Sequence, residues 1–326
     1  MKRFLIGGLL LASSGLAMAQ AAPPELHWDP GAEDCDISRQ RTEAQAIDAT
    51  TIAIRQNPCV DYEAPLMYLL IGEERALLID SGATSDPRLT AELTALVEKY
   101  LIAEDGTRLP LVVAHTHGHQ DHRGGDLAFI ALPDTTVVPV DGDRMRAFFQ
   151  LERWPDYWAE FDLGHRRVHV IPTPGHHEDH IVFVDEQTSL LFSGDFMLPG
   201  RLLVDDADAY LQSVRGMGNA TAELGITYAM GAHIEMNRRH ELYASGATWH
   251  PNERQVAIKF ETQENRWLWL DLEEFNGFYL KSGQNFYVLV NPKHNLIALM
   301  IGVLLAIVLL VWGARRLLKA RRRETT

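Results

Sequence analysis

The chain has 326 residues, 46% of them hydrophobic and 23% charged, and a formal net charge of −14. This length and composition are typical of a globular protein with one large domain or two modest ones. The acidic balance argues against nucleic acid as a partner, because nucleic-acid phosphates would be repelled.

Residues 1–19 have the three parts of a secretory signal peptide. A basic start is followed by an apolar run from Phe4 to Met18 and by a small-x-small cleavage site that ends at Ala19. This order predicts that the chain is exported and that the mature protein begins at Gln20.

A second apolar segment lies near the C-terminus. Residues 295–314 are predicted to form a transmembrane helix, because they are long and apolar enough to cross a bilayer. The arginine-rich tail over 315–326 is expected to stay cytoplasmic. We therefore expect a membrane-anchored protein with a periplasmic or extracellular globular part, whose charge without leader and tail is about −21.

The chain has two cysteines, Cys35 and Cys59, and neither has the spacing of a metal-ligand pair. In an oxidising compartment they are expected to form a disulfide that ties the N-terminal segment to the first strands. Two buried free thiols are the alternative.

Hydrophobic periodicity predicts strands and helices from residue 49 onward, after an extended, proline-rich and acidic lead-in over 20–48. The predicted strands are 49–55, 66–71, 76–79, 111–114, 135–140, 168–171, 181–184, 189–192 and 226–230. The predicted helices are 89–101, 126–132, 144–151 and 207–218.

Two further stretches stand apart from this pattern. An aromatic-rich segment over 152–161 is expected to pack into the core, with a wall of a substrate site as the alternative. Strands at 256–260, 267–270 and 285–290 predict a β-rich extension over 251–294, with a small sheet of its own between the main domain and the membrane.

One short stretch concentrates the potential metal ligands. Thr116-His117-Gly118-His119-Gln120-Asp121-His122 follows the predicted strand 111–114 at once. Imidazole nitrogens and carboxylate oxygens are ligands of divalent metals, zinc foremost. A turn at the end of a strand is also where α/β proteins place their sites.

Three later residues of the same ligand types occupy similar turns. His176, Asp195 and His233 each follow a predicted strand. His177 and His180 lie close to His176, and both remain open as residues that contact a ligand rather than the metal.

Together these residues resemble the metallo-β-lactamase fold superfamily, whose signature is H-x-H-x-D-H followed by distant H, D and H. The resemblance covers roughly 49–236 and implies an α/β (α+β) domain over 49–250, built as a four-layer αββα sandwich. It implies two divalent metal ions, most simply zinc, with iron or manganese as alternatives. The implied ligands are His117, His119 and His176 for one metal, Asp121, His122 and His233 for the other, and Asp195 between them.

Two aspartates refine what the resemblance implies. Asp195 stands where the β-lactamases of this superfamily have cysteine or serine, so the site is more similar to glyoxalase II and acyl-homoserine lactonases. Asp80 matches the family's early aspartate, which orients the histidine loop.

The implied activity is hydrolysis of a small-molecule ester, lactone, thioester or amide-type bond by a metal-bridging hydroxide, with Asp121 as the catalytic carboxylate that orients it. The alternatives are a phosphodiesterase, a mononuclear iron oxygenase on the same fold, and a metal-binding module without catalysis.

Overall fold

The computed structural model describes residues 22–35, 41–103, 105–259, 280–282, 286–290 and 292–324. The predicted signal peptide (1–19) and the predicted strand at 267–270 lie outside these residues.

The first sheet has six strands in the order β1-β2-β3-β4-β5-β6. Strands β1 to β4 pair antiparallel, whereas β4, β5 and β6 pair parallel. Its strands are β1 (Thr42–Ala46), β2 (Thr51–Gln56), β3 (Leu66–Ile71), β4 (Ala76–Ile79), β5 (Leu111–Ala114) and β6 (Thr135–Val137). The sequence predicted residues 42–46 as part of the extended lead-in. They are extended, and they also form β1, the edge strand that pairs with β2.

The second sheet also has six strands, in the order β13-β12-β10-β9-β8-β7. β10 and β12 pair parallel and the remaining neighbours pair antiparallel. Its strands are β7 (Ala159–Asp162), β8 (Arg167–Pro172), β9 (Ile181–Asp185), β10 (Leu190–Gly194), β12 (Tyr228–Gly231) and β13 (Ala257–Lys259).

Six helices accompany the sheets within the described residues. They are α1 (Pro87–Leu101), α2 (Gln120–Arg123), α3 (Asp126–Ile130), α4 (Gly142–Phe149), α5 (Ala207–Leu224) and α6 (Pro292–Glu324). α1 begins where the Asp86 side chain accepts hydrogen bonds from the backbone N–H groups of Arg88 and Leu89, as an N-cap residue does.

The two main sheets pack face to face between helices. Successive residues of a strand point to opposite faces, so Tyr68 on β3 packs into the core between the sheets while Met67 packs toward α1 and α3. In the second sheet, Phe183 on β9 faces the same central core, while Val184 packs toward α5. The four-layer αββα sandwich expected from the sequence is therefore confirmed.

A third sheet corrects the prediction for the region after residue 250. β13 is not part of a separate small sheet, because it pairs with β12 in the second main sheet. β15 (Phe286–Val290) pairs antiparallel with β14 (Leu280–Ser282) and parallel with β11 (Gly200–Val204), a strand that periodicity did not predict.

A buried ion pair joins the two main sheets. Arg166 donates to both carboxylate oxygens of Asp185 at 2.9 and 2.8 Å. The same guanidinium donates to the backbone carbonyls of Thr50 and Ile71, beside the first sheet. These contacts satisfy both buried charges, as burial of an ion pair requires.

The aromatic-rich segment over 152–161 supplies packing. Trp154 and Phe161 are partly buried against the central core, and Trp158 packs on the core beside α5. Tyr157 stays exposed, with its ring stacked on that of Trp158.

Cys35 and Cys59 form a disulfide with their Cα atoms 5.2 Å apart. The expected disulfide is therefore present, and the alternative of two free thiols is not. Their bond joins the N-terminal segment to the loop between β2 and β3. Gly31 pairs in a β-bridge with Trp249 beside them, so three distant segments meet at this point.

Candidate metal centre

All seven implied ligands lie in segments that follow the carboxyl ends of strands, at one edge of the sandwich, and Asp121 and His122 are on α2. The first sheet supplies the histidine stretch after β5, while the second supplies His176 after β8, Asp195 after β10 and His233 after β12. They form two groups: His117, His119 and His176 in one, and Asp121, His122, Asp195 and His233 in the other.

Asp80 holds the histidine stretch in place. Its side chain is buried and accepts hydrogen bonds from the backbone N–H of Thr116 and from Nδ1 of His122, both at 2.8 Å. The expectation that Asp80 orients this loop is confirmed. Gly194 lets β10 approach the loop, because a Cβ there would lie 2.6 Å from Cβ of Thr116.

Three imidazole nitrogens converge in the first group. Nε2 of His176 lies 3.2 Å from Nε2 of His117 and 3.2 Å from Nδ1 of His119. The His117 and His119 nitrogens are 2.8 Å apart. Tetrahedral zinc with Zn–N bonds of about 2.0–2.1 Å separates its ligands by about 3.3 Å, so this spacing suits one such ion.

The second group mixes two imidazoles and two carboxylates. Oδ2 of Asp121 lies 3.0 Å from Nε2 of His122 and 3.2 Å from Nε2 of His233. Oδ1 of Asp195 lies 3.4 and 3.3 Å from the same two nitrogens. Such a donor set is typical of a divalent transition-metal site.

Asp195 lies between the two groups. Its Oδ1 faces His122 and His233, whereas its Oδ2 is 3.4 Å from Nε2 of His176 and 4.0 Å from Nε2 of His117. Oδ1 is a buried oxygen without a hydrogen-bond partner in the described part of the chain. A cation would satisfy it, so the residues present fit a metal on each side of this carboxylate.

Backbone carbonyls orient two of the histidines. Nδ1 of His176 donates to the carbonyl of Leu203 at 2.7 Å, and Nδ1 of His233 donates to the carbonyl of Glu63 at 2.8 Å. In its neutral form with the proton on Nδ1, each ring presents an Nε2 lone pair to its group, and this is the form that binds a metal.

Burial sets the protonation of the first group. It lowers the pKa of His117 well below the usual value, and the neighbouring His122 lowers it further. Burial likewise lowers the pKa of His119 to about 4. Both rings are therefore neutral at pH 7, as ligands must be.

Charge dominates in the second group. Burial alone would lower the pKa values of His122 and His233, but the surrounding carboxylates outweigh it and raise both. In turn the two imidazoles hold the pKa values of Asp121 and Asp195 low, although burial alone would raise them. A cation binding in this group competes with the imidazole protons.

The remaining histidines of this region lie around the ligands. The buried ring of His180 stacks on His117 with centroids 5.1 Å apart, and its Nδ1 is 2.8 Å from Oγ1 of Thr173. His115, two residues before His117 and in neither ligand group, hydrogen-bonds to Asp126 at 2.8 Å.

Sequence reasoning missed the carbonyls of Glu63 and Leu203. Any residue type supplies a backbone carbonyl, so no side-chain signal marks these two positions.

Comparison with known proteins identifies the family of the chain. The model of the metallo-beta-lactamase superfamily matches residues 61–239, which include all seven residues and Asp80. The chain is 34% identical over 148 residues to a hydroxyacylglutathione hydrolase of Methylococcus capsulatus, covering 44% of this chain and 55% of that protein.

It is also 29% identical over 189 residues to an atrochrysone carboxyl ACP thioesterase of Passalora fulva, covering 55% of this chain and 52% of that protein. The chain thus spans about half the length of these curated relatives. Among solved structures, a metallo-beta-lactamase from Hirschia baltica aligns with a TM-score of 0.46 and 18% identity, over 60% of this chain and 91% of that one.

Proposed function

The chain belongs to the metallo-β-lactamase superfamily, and we propose that it is a metal-dependent hydrolase that cleaves a carbonyl bond in a small molecule. The observation that carries the proposal is Asp195, with one carboxylate oxygen toward each of two ligand groups. Two divalent cations, in the first place zinc, suit these donors. Bound there, they would lower the pKa of a shared water and polarise the substrate carbonyl.

Asp121 is the proposed catalytic carboxylate. Because the imidazoles of His122 and His233 favour its ionised form, it accepts hydrogen bonds and donates none at neutral pH. An ionised acceptor beside the attacking water fixes the direction of the water's lone pair, and this orientation lowers the activation barrier.

The substrate class is an ester, lactone, thioester or amide-type bond. One curated relative is named a thioesterase, which makes a thioester the first substrate to test. The enzyme is further proposed to be exported and anchored by α6, with its catalytic domain periplasmic or extracellular. The leader over 1–19 and the exposed apolar span Leu296–Arg316 support this placement.

The test is a panel of chromogenic thioesters, esters, lactones, β-lactams and phosphodiesters on the purified full chain in detergent. We expect turnover of a carbonyl substrate, loss of turnover after chelation and recovery with added zinc. Asp195→Asn, which keeps the shape but removes the charge, should abolish turnover. Turnover that survives both chelation and Asp195→Asn would refute the proposal, as would hydrolysis of the phosphodiester alone.

A further inference from the structure

His177 follows the ligand residue His176 but belongs to neither ligand group. Its half-buried ring stands edge-on to His119, with centroids 5.3 Å apart, and 5.7 Å from the ring of His117. The His177 side chain therefore lies beside the first ligand group but does not supply a ligand atom to it.

A backbone contact fixes which nitrogen of His177 carries the proton. Nδ1 accepts a hydrogen bond from the backbone N–H of Asp179 at 3.1 Å. In a neutral imidazole one nitrogen accepts and the other donates, so the proton is on Nε2. This N–H has no hydrogen-bond partner within the described part of the chain.

Nε2 of His177 lies close to Gly118, the residue between His117 and His119. A Cβ on Gly118 would lie 3.5 Å from Nε2 of His177. The Nε2–H group of His177 is therefore next to the backbone between His117 and His119. Because Gly118 has no side chain, it does not cover this N–H group.

An ion pair holds the loop that carries His177. Asp179 accepts from Arg146 on α4 at 2.7 Å, and the guanidinium of Arg146 lies over the ring of Trp154. The donor is thus fixed before a substrate binds, and a preorganised donor is the kind that contributes most to catalysis.

We propose that His177 is a further catalytic residue that stabilises the substrate oxyanion. This proposal rests on the proposed hydrolase function. As the oxygen of water bonds to the carbonyl carbon, the π pair of the C=O bond moves onto the carbonyl oxygen. Nε2–H donates a hydrogen bond to that oxygen and keeps its proton. The bond to the leaving group then breaks as the C=O bond re-forms, the electron pair of the broken bond stays with the leaving group, and the leaving group takes up the proton that the attacking water gives up.

Two substitutions separate the ring from its donor. His177→Phe keeps an aromatic ring against His119 but removes the N–H, whereas His177→Gln restores an N–H donor. His27→Phe, at an exposed histidine of the N-terminal segment, is the matched control. The readouts are kcat and KM on a substrate that the wild type cleaves, bound zinc per chain, and the affinity for a tetrahedral phosphonate analogue.

We expect His177→Phe to lower kcat on the order of 10²-fold, as the loss of one oxyanion donor does, with KM and bound zinc unchanged. Its phosphonate affinity should fall as well, while His177→Gln and His27→Phe stay near the wild type. Unchanged kcat in His177→Phe, or a loss that follows lost zinc, would overturn this inference and leave the hydrolase function standing. A wild type that neither cleaves the panel nor binds the phosphonate would overturn both.

Discussion

The histidines that face the two ligand groups use their ring nitrogens for different purposes. In His122, His176 and His233, Nε2 faces the neighbouring ligands while Nδ1 bonds to Asp80 or to a backbone carbonyl. Such partners fix the tautomer and the ring orientation, and they make the ligand more basic. Substituting a partner should therefore weaken metal binding without removing a ligand.

Asp80→Asn tests this dependence. Asp80 has a φ of 65°, a backbone conformation that asparagine also tolerates, so the loop should keep its shape. The neutral amide loses the charge that faces His122, and we expect zinc affinity to fall about 10–100-fold. Competition with a chromophoric chelator measures it.

Asp134→Asn is the matched control for that substitution. Asp134 also has a positive φ, 45°, but its side chain is exposed and lies outside both ligand groups. Equal zinc affinity in the two variants would show that Asp80 has no influence on the metal.

Three strands buried on both faces were predicted with their correct limits, whereas two half-buried strands were missed. β3, β4 and β5 have the limits that periodicity predicts, because each is an unbroken apolar run with nearly every residue buried. β7 alternates partly buried and exposed residues, and β11 contains Gly200 and Arg201, so neither has the predicted pattern. β11 forms because β15 pairs with it, a contact from 86 residues further on that no local window contains.

The same contrast applies to the site. Residue type and position after a strand were enough to select seven side chains that the fold brings together. The Nε2 proton of His177 depends instead on a hydrogen bond from the backbone of Asp179, which composition does not encode.

α6 is unlike the other helices because its apolar side chains are exposed from Leu296 to Trp312. The 21-residue span Leu296–Arg316 has a length of about 32 Å, which matches a hydrocarbon layer of about 30 Å. We expect the full chain to stay with membranes through a carbonate wash. A chain ending at Asn291 keeps β15 and should be recovered in the soluble fraction.

The truncated chain provides its own control, because retained hydrolysis of a substrate that the full chain cleaves would show that the fold is intact. A full chain that washes off membranes like the truncated one would contradict the anchoring role of α6.

The proposed metal centre lies where the two main sheets meet. The first sheet supplies Asp80 and the histidine stretch, while the second supplies His176, Asp195 and His233. Ions bound to both sets of donors would stabilise the native packing of the sheets, because a ligand that binds only the folded state raises its stability.

The proposed site for two metal ions on either side of Asp195 can be tested by counting the metal bound to the purified full chain. Elemental analysis after zinc saturation and removal of free metal should give two ions per chain for the wild type. Asp195→Ala, which removes the oxygen facing each group, should retain less than two. A wild-type chain that saturates at one ion, or an Asp195→Ala chain that still holds two with unchanged affinity, would contradict the two-metal site.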